Sequence, residues 1–189
     1  MNDTWGVGSG AEHLERGGST ADDESHWRVD PERTSISFTA RWLFGLATAT
    51  GTFASSSGWV VLKSNGELSG EIAAEVSGVA TGNRFRDRHL QGRLFFDAEH
   101  HPSAVFSSGV CITGDGRFAG DGSLSLRGRT AKVHAEGTFQ RDTDHLRLTG
   151  DTVLDTRVFG LPSAGGYLRR DVLVSVDVWL DRAVAPGAE

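Results

Sequence analysis

The chain has little of what would tie it to a disulfide scaffold, a membrane span or a catalytic centre. It has one cysteine in 189 residues, so no intrachain disulfide can form and the redox compartment is unconstrained. Cys111 falls in a run that reads as a strand, where a buried, inert thiol is expected. No apolar stretch approaches the roughly 18 residues of a transmembrane helix. The N-terminus also lacks the basic, apolar and small-residue segments of a secretory leader. The expectation is a cytoplasmic protein without stable membrane insertion. No Gly-x-Ser-x-Gly elbow occurs, and no glycine-rich stretch follows a strand in a phosphate-loop pattern. The adjacent His100 and His101 lack zinc-ligand spacing and a third ligand, and read as a polar turn before Pro102. Asp87 and His89, two apart on a helix, would point away from each other. The reading is therefore no catalytic residue, no metal and no cofactor.

A dominant basic charge is missing too. The net charge of −6 sits mainly in residues 1–26, where six acids face the single base Arg16. The remaining 163 residues hold 19 acids and 18 bases. A nearly neutral body gives no general nucleic-acid surface. Residues 1–26 are acidic, rich in Gly and Ser, and aperiodic, which predicts a disordered tail. Order is expected from Trp27 to about residue 182, with residues 183–189 as a short C-terminal tail.

What the chain does have is alternation. Ile36, Phe38 and Ala40 alternate with Ser35, Ser37 and Thr39, one face apolar and one polar. Leu68, Gly70, Ile72, Ala74 and Val76 repeat the pattern against Glu67, Ser69, Glu71, Glu75 and Ser77. It recurs through Phe106–Ile112, Phe118–Leu126, Ala131–Phe139, His145–Leu154 and Val172–Leu180. Asn65-Gly66 and Asp115-Gly116 are hairpin signals. Eight or nine half-buried antiparallel strands predict an all-β fold, an eight-stranded (or nine-stranded) barrel. Such a barrel is just wide enough to fill with side chains or to hold one small ligand. Gly70, Ala74, Gly120, Gly122, Ala131, Ala135 and Gly137 on the inward faces either leave space for a ligand or make room for aromatics opposite.

One stretch breaks the pattern. From Thr81 to Pro102 the period-2 alternation stops and charge becomes dense, with Arg84, Arg86, Arg88 and Arg93 near the single acid Asp87. Asn83 can cap a short helix over about 83–92 and Gly92 can end it. Phe85 and His89, at i and i+4, would share its inward face. A helix inserted in a β-chain is placed to plug one end of a barrel.

This stretch resembles the central signature of the YceI-like family, in Thr81-Gly82-Asn83, Arg86-Asp87-Arg88-His89-Leu90, Phe95-Phe96-Asp97 and His101-Pro102. Further matches, over about residues 27–182, are Asp30-Pro31, Gly51-Thr52-Phe53, the run from Gly122 to Gly128, and Phe159-Gly160. The resemblance implies a lipocalin-like β-barrel that binds a polyisoprenoid or similar long apolar lipid, such as a quinone-like molecule or a fatty chain. Phe38, Trp42, Phe44, Phe53, Phe85, Phe95, Phe96, Phe106, Phe118, Phe139 and Phe159 are then candidates for the wall of the pocket. Arg84, Arg86 and His89 are candidates for an anionic head group, since an arginine fork suits phosphate or carboxylate. The same arginines would otherwise pair with Asp87, Asp97 and Glu99. The family often has His where this chain has Arg33 and Trp42, and Arg where it has Thr156 beside Arg157, so the head-group end differs. Two alternatives stand beside the carrier: a filled barrel serving as a protein-interaction or stress-response module, and an enzyme acting on a hydrophobic substrate. A homodimer is compatible with the sequence.

Overall fold

Among the described residues, eleven strands and one α-helix carry the alternation into three dimensions. The computed structural model describes residues 24–42, 47–54, 56–162 and 168–184. The strands are β1 (Glu24–Val29), β2 (Ser35–Trp42), β3 (Ala47–Phe53), β4 (Ser56–Lys63), β5 (Glu67–Glu75) and β6 (Val79–Ala80), then, after helix α1 (Arg84–Gln91), β7 (Ser103–Thr113), β8 (Arg117–Leu126), β9 (Arg129–Arg141), β10 (His145–Asp155) and β11 (Leu168–Ala183). All ladders are antiparallel. Eight strands close a ring in the order β1-β4-β5-β7-β8-β9-β10-β11, with β1 pairing back onto β11.

The other three, β2, β3 and β6, extend the sheet from β11. The 16 residues of β11 make this branching possible. One edge pairs with β10, while the other carries β2 at Leu168–Asp177 and β1 at Leu180–Ala183. Between these two partners the chain bends at Asp30–Thr34, and the break is bridged. Asp30 N–H donates to the Trp179 carbonyl at 2.8 Å, and the Trp179 N–H donates to Thr34 Oγ1 at 3.1 Å.

β1 begins at Glu24, three residues before the expected onset of order, and Glu24, Ser25 and His26 pair with Lys63, Leu62 and Val61. Residues 24–26 therefore belong to the barrel and not to the tail. Residues 1–23 lie outside the described residues.

At the expected hairpins Gly66 and Gly116 adopt φ of 83° and 75°, a region closed to most side chains. The β8–β9 turn is tighter. Arg127 and Gly128 both have positive φ, 52° and 69°, the geometry of a two-residue turn whose twist matches its strands. Arg127 is held there by its own side chain, which donates to the carbonyls of Gly160 and Arg93.

Two apolar clusters divide the interior. At one end Trp27, Val29, Leu62, Leu146 and Leu180 are buried together with Leu68, Val110 and Phe118. Leu146 and Leu180 are fully sequestered, each worth about 1.5–3 kcal/mol. At the other end Val76, Val79, Phe96, Leu126 and Phe159 form a second cluster, with Leu90 of α1 packed against it. The helix caps that end, as its interruption of the β pattern predicts. Cys111 departs from expectation. It lies on the outward face of β7 and is exposed, because Val110 and Ile112 take the inward positions.

Candidate functional site

Between the two clusters lies a cavity of about 450 Å³, inside the ~300–1,000 Å³ range of small-ligand sites. Its floor is a ring that includes Val60, Leu68, Val110, Phe118, Leu148 and Val178, each supplied by the inward phase of a different strand. Val172, Val174 and Val176 of β11 continue the wall, and Ala49, Ala74, Ala104 and Ala135 keep it wide. At the helical end the lining turns aromatic. Phe38 and Phe53 stack with centroids 5.6 Å apart, Phe53 and Phe96 at 5.9 Å, and His89 and Phe95 at 5.0 Å, all tilted, as aromatic quadrupoles prefer.

The glycines divide between the two uses expected of them. Gly70, with Ala74 and Ala135, borders the cavity. Gly122 instead accepts the ring of Phe106: a Cβ there would fall 2.4 Å from it. Gly137 faces Phe118 in register, and its Cβ would meet that ring at 2.9 Å and the Thr149 carbonyl oxygen at 2.0 Å. Gly51 makes the same space for Phe38.

One wall is not closed by a ladder. β9 and β10 pair only between Glu136–Arg141 and Leu146–Asp151, and beyond that they diverge. A bond from Thr152 Oγ1 to the His134 carbonyl, 3.0 Å, spans the start of the split. Phe159, 1 % exposed, belongs to the second cluster, against which Ala131 of β9 and Leu154 of β10 pack, and Arg127 holds the carbonyl of the next residue, Gly160. The exposed Glu136 and Asp151 border the cavity at this split.

α1 supplies the polar groups of the helical end. Asn83 Oδ1 accepts from the N–H groups of Phe85 and Arg86 at 3.0 and 3.2 Å, so the helix starts as its cap residue predicts. Arg86, His89 and Leu90 line the cavity, an i, i+3, i+4 stripe. Arg86 donates from Nε to Thr81 Oγ1 and from Nη2 to the Thr81 carbonyl, both at 2.7 Å. Asp87 accepts from the Thr81 N–H at 2.8 Å and from its hydroxyl. Thr81 is thus gripped by two successive side chains of the helix, and it borders the cavity itself.

Of the expected wall residues, Phe38, Phe53, Phe95, Phe96, Phe106, Phe118 and Phe159 line the cavity. Phe139 does not: it packs against the cluster at the opposite end, since β9 runs past the cavity floor. Phe85 is likewise not a wall residue. It is 85 % exposed, because the inward stripe of α1 runs through residues 86, 89 and 90, and Phe85 falls outside it. Arg84 is exposed and clear of the cavity. Phe44 and the side chain of Trp42 lie outside the described residues.

The arginines of α1 make no ion pairs with Asp87, Asp97 or Glu99; instead Asp97 pairs with His100 at 2.9 Å. Thr81, Leu90 and Leu161 line the site and were not anticipated. Leu90, the one aliphatic side chain of the helix, was the available signal.

Arg33 sits at the end opposite the helix, paired with Asp30 and Asp181 and 5.0 Å over the Trp179 ring. Its guanidinium holds the Asp30 carboxyl below the ordinary range. Thr156 borders the cavity, but its hydroxyl donates to the Arg170 carbonyl at 3.0 Å. Arg157 is spent on Asp155, whose carboxyl it pulls down to about 2. Neither Arg33 nor Arg157 lines the cavity.

A family model described as a YceI-like domain matches residues 27–184. The chain belongs to the YceI-like family. The crystal structure of BcnA from Burkholderia cenocepacia superposes with a TM-score of 0.73 at 17% identity, covering 80% of this chain and 98% of that one. A polyisoprenoid binding domain from Saccharophagus degradans gives 0.67 at 14% identity, covering 83% and 98%. The YCEI protein of Campylobacter jejuni gives 0.65 at 16% identity, covering 74% and 88%. No curated protein sequence matches the chain. At these identities the solved structures establish the YceI-like fold, a closed barrel with its helix at one end. Among the described residues no helix is long and apolar enough to cross a membrane.

Proposed function

We propose that this YceI-like barrel binds and sequesters a long apolar lipid, a polyisoprenoid, a quinone with such a tail, or a fatty chain, within its central cavity. One observation carries the reading: the 450 Å³ cavity is walled almost wholly by aliphatic and aromatic side chains. Such a volume gives water too few hydrogen-bond partners and favours hydrocarbon. The polyisoprenoid-binding description of the Saccharophagus degradans domain fits the same chemistry. The tail would lie along the β11 valines towards the floor, with the head group at Arg86 and His89. The polar side chains of the helical end hold backbone and helix in place instead of converging on a reacting atom, which favours a carrier over an enzyme.

The test is direct. Protein purified without detergent is examined by native mass spectrometry, then stripped of lipid and titrated with a fluorescent isoprenoid. Wild type takes up one probe per barrel. Ala135→Leu projects into the cavity and lowers capacity and affinity about tenfold or more. Its stability changes less than the ~1–3 kcal/mol that overpacking a full core costs. A wild-type barrel that takes up no probe, together with severe destabilisation by Ala135→Leu, overturns the reading in favour of a filled interaction module.

A further inference from the structure

We propose that the helical end of the barrel docks onto an anionic lipid bilayer, with Phe85 and Leu94 entering the interface and Arg84, Arg88 and Arg93 meeting lipid phosphates; this rests on the lipid-carrier reading above. Phe85 is the most exposed large hydrophobic side chain among the described residues, and Leu94, just past the helix, is 66 % exposed. Both belong to the segment that caps the cavity. Phe85 lies one helical turn from His89, which lines the cavity and packs on Phe95. An aromatic and an aliphatic side chain in water beside a lipid pocket have one natural solvent, the headgroup–acyl boundary.

The charge on the outward side of the helix is positive. Arg84, Phe85 and Arg88 share the outward side of α1, all exposed. Among the described residues no carboxylate forms an ion pair with Arg84, Arg88 or Arg93. Three acids of this end are engaged elsewhere: Asp87 by Thr81, Asp97 by His100 and Asp155 by Arg157, while Glu99 is exposed. Arg127 is anchored to the Arg93 carbonyl and adds a further cation. The opposite end carries Asp30, Glu32, Asp142 and Asp144 at its turns and Asp181 near the end of β11, with Arg33 paired to Asp30 and Asp181. The chain beyond residue 26 is nearly neutral, with 19 acids and 18 bases, so it is the exposed arginines of the helical end that draw the barrel end-on to an anionic surface. That orientation places Arg86, His89 and Leu90 between the cavity and the bilayer, so a lipid leaving the membrane would enter without crossing water.

The test is co-sedimentation with vesicles of phosphatidylcholine alone and of phosphatidylcholine mixed with phosphatidylglycerol, alongside fluorescent-isoprenoid uptake in vesicle-free buffer. Wild type should bind the mixed vesicles and release them at high salt. Each interfacial arginine contributes about fivefold, so Arg84→Gln with Arg88→Gln should lower partitioning roughly 25-fold. Phe85→Ser with Leu94→Ser should lower it on both vesicle types. These sites are exposed, so the melting midpoint and probe uptake stay at wild-type values. Failure to bind mixed vesicles, or binding unmoved by both double variants, overturns the docking even if the cavity loads. An isoprenoid-free cavity sinks the carrier reading instead, and is scored independently of the vesicles. A dimer in analytical ultracentrifugation that Phe85→Ser dissociates would show that a second copy covers the patch, and would also overturn the proposal.

Discussion

Arg86 is committed before any ligand arrives, since two of its nitrogens already serve Thr81. That fixes the guanidinium at the cavity border and lowers the entropy cost of binding an anion there. Replacing it with Met keeps length and apolar packing but removes a charge-assisted bond worth about 1.5–3 kcal/mol. An anionic prenyl phosphate should bind roughly ten- to a hundredfold more weakly, and a neutral prenyl quinone should bind nearly as before. Because the change also frees Thr81, His89→Phe serves as the companion: it keeps the contact with Phe95 and removes only the imidazole. Competition titrations with both lipids read the outcome. Equal losses for the charged and neutral lipids would make Arg86 a brace for the Thr81 turn and nothing more. At this scale the sequence was only half legible. Arg86 and His89 were visible as polar groups in a helix that breaks a β pattern, but Arg84 and Arg86 could not be told apart. The glycines were equally ambiguous. Whether Gly122 opens a cavity or seats a ring depends on the diagonal neighbour Phe106 across the β7–β8 ladder, and register is not printed in composition.

At the scale of elements, strands were legible wherever one face is buried, because a period of two survives in the sequence with no knowledge of the partner. β11 is the clearest case, with Val178 and Leu180 buried and Val172 to Val176 on the cavity. β1 hid its start because Glu24, Ser25 and His26 are polar, and what orders them is pairing with β4 and β11. The cap residue Asn83 marks where α1 starts, but the sequence does not show which face of the helix turns inward. Eight residues make barely two turns, and the pair 85/89 matches a helical stripe as well as 86/89/90 does. A helix this short does not hold itself together; it depends on Asn83 and on Leu90 in the second cluster. Asn83→Ala should cost about 0.5–2 kcal/mol locally. Amide exchange over residues 84–91 should then quicken up to about tenfold or more, while β7 to β11 exchange as before. Lipid release should quicken with it, because the helix borders the cavity. Exchange that rises uniformly through the strands would show that the helix and barrel open as one unit.

At the scale of the whole molecule, closure of the ring depends on β1. This strand of six residues pairs with β4 on one side and β11 on the other, and it carries Trp27, 2 % exposed, into the cluster beneath the cavity floor. Trp27 also lies 6.0 Å under the Arg182 guanidinium of β11. Two truncations separate the contribution of this strand from that of the acidic segment before it. Removing residues 1–23 leaves every described ladder intact, and we expect the melting midpoint to stay within about a degree or two, since the aperiodic acidic composition of that segment gives it little apolar surface to bury. Removing residues 1–29 deletes the seam. The loss of the Trp27 side chain alone costs about 3–5 kcal/mol, and the unpaired edges of β4 and β11 add to it. Set against a total stability of about 5–15 kcal/mol for a domain, that should abolish cooperative unfolding and expose strand edges to aggregation. Calorimetry and sedimentation on the two truncations decide the matter. A large fall in the midpoint on removing residues 1–23 would mean that the acidic segment docks on the barrel. A cooperative transition that survives removal of residues 1–29 would mean that the seven remaining strands hold the cavity without a closed ring, and that the seam has some role other than stability.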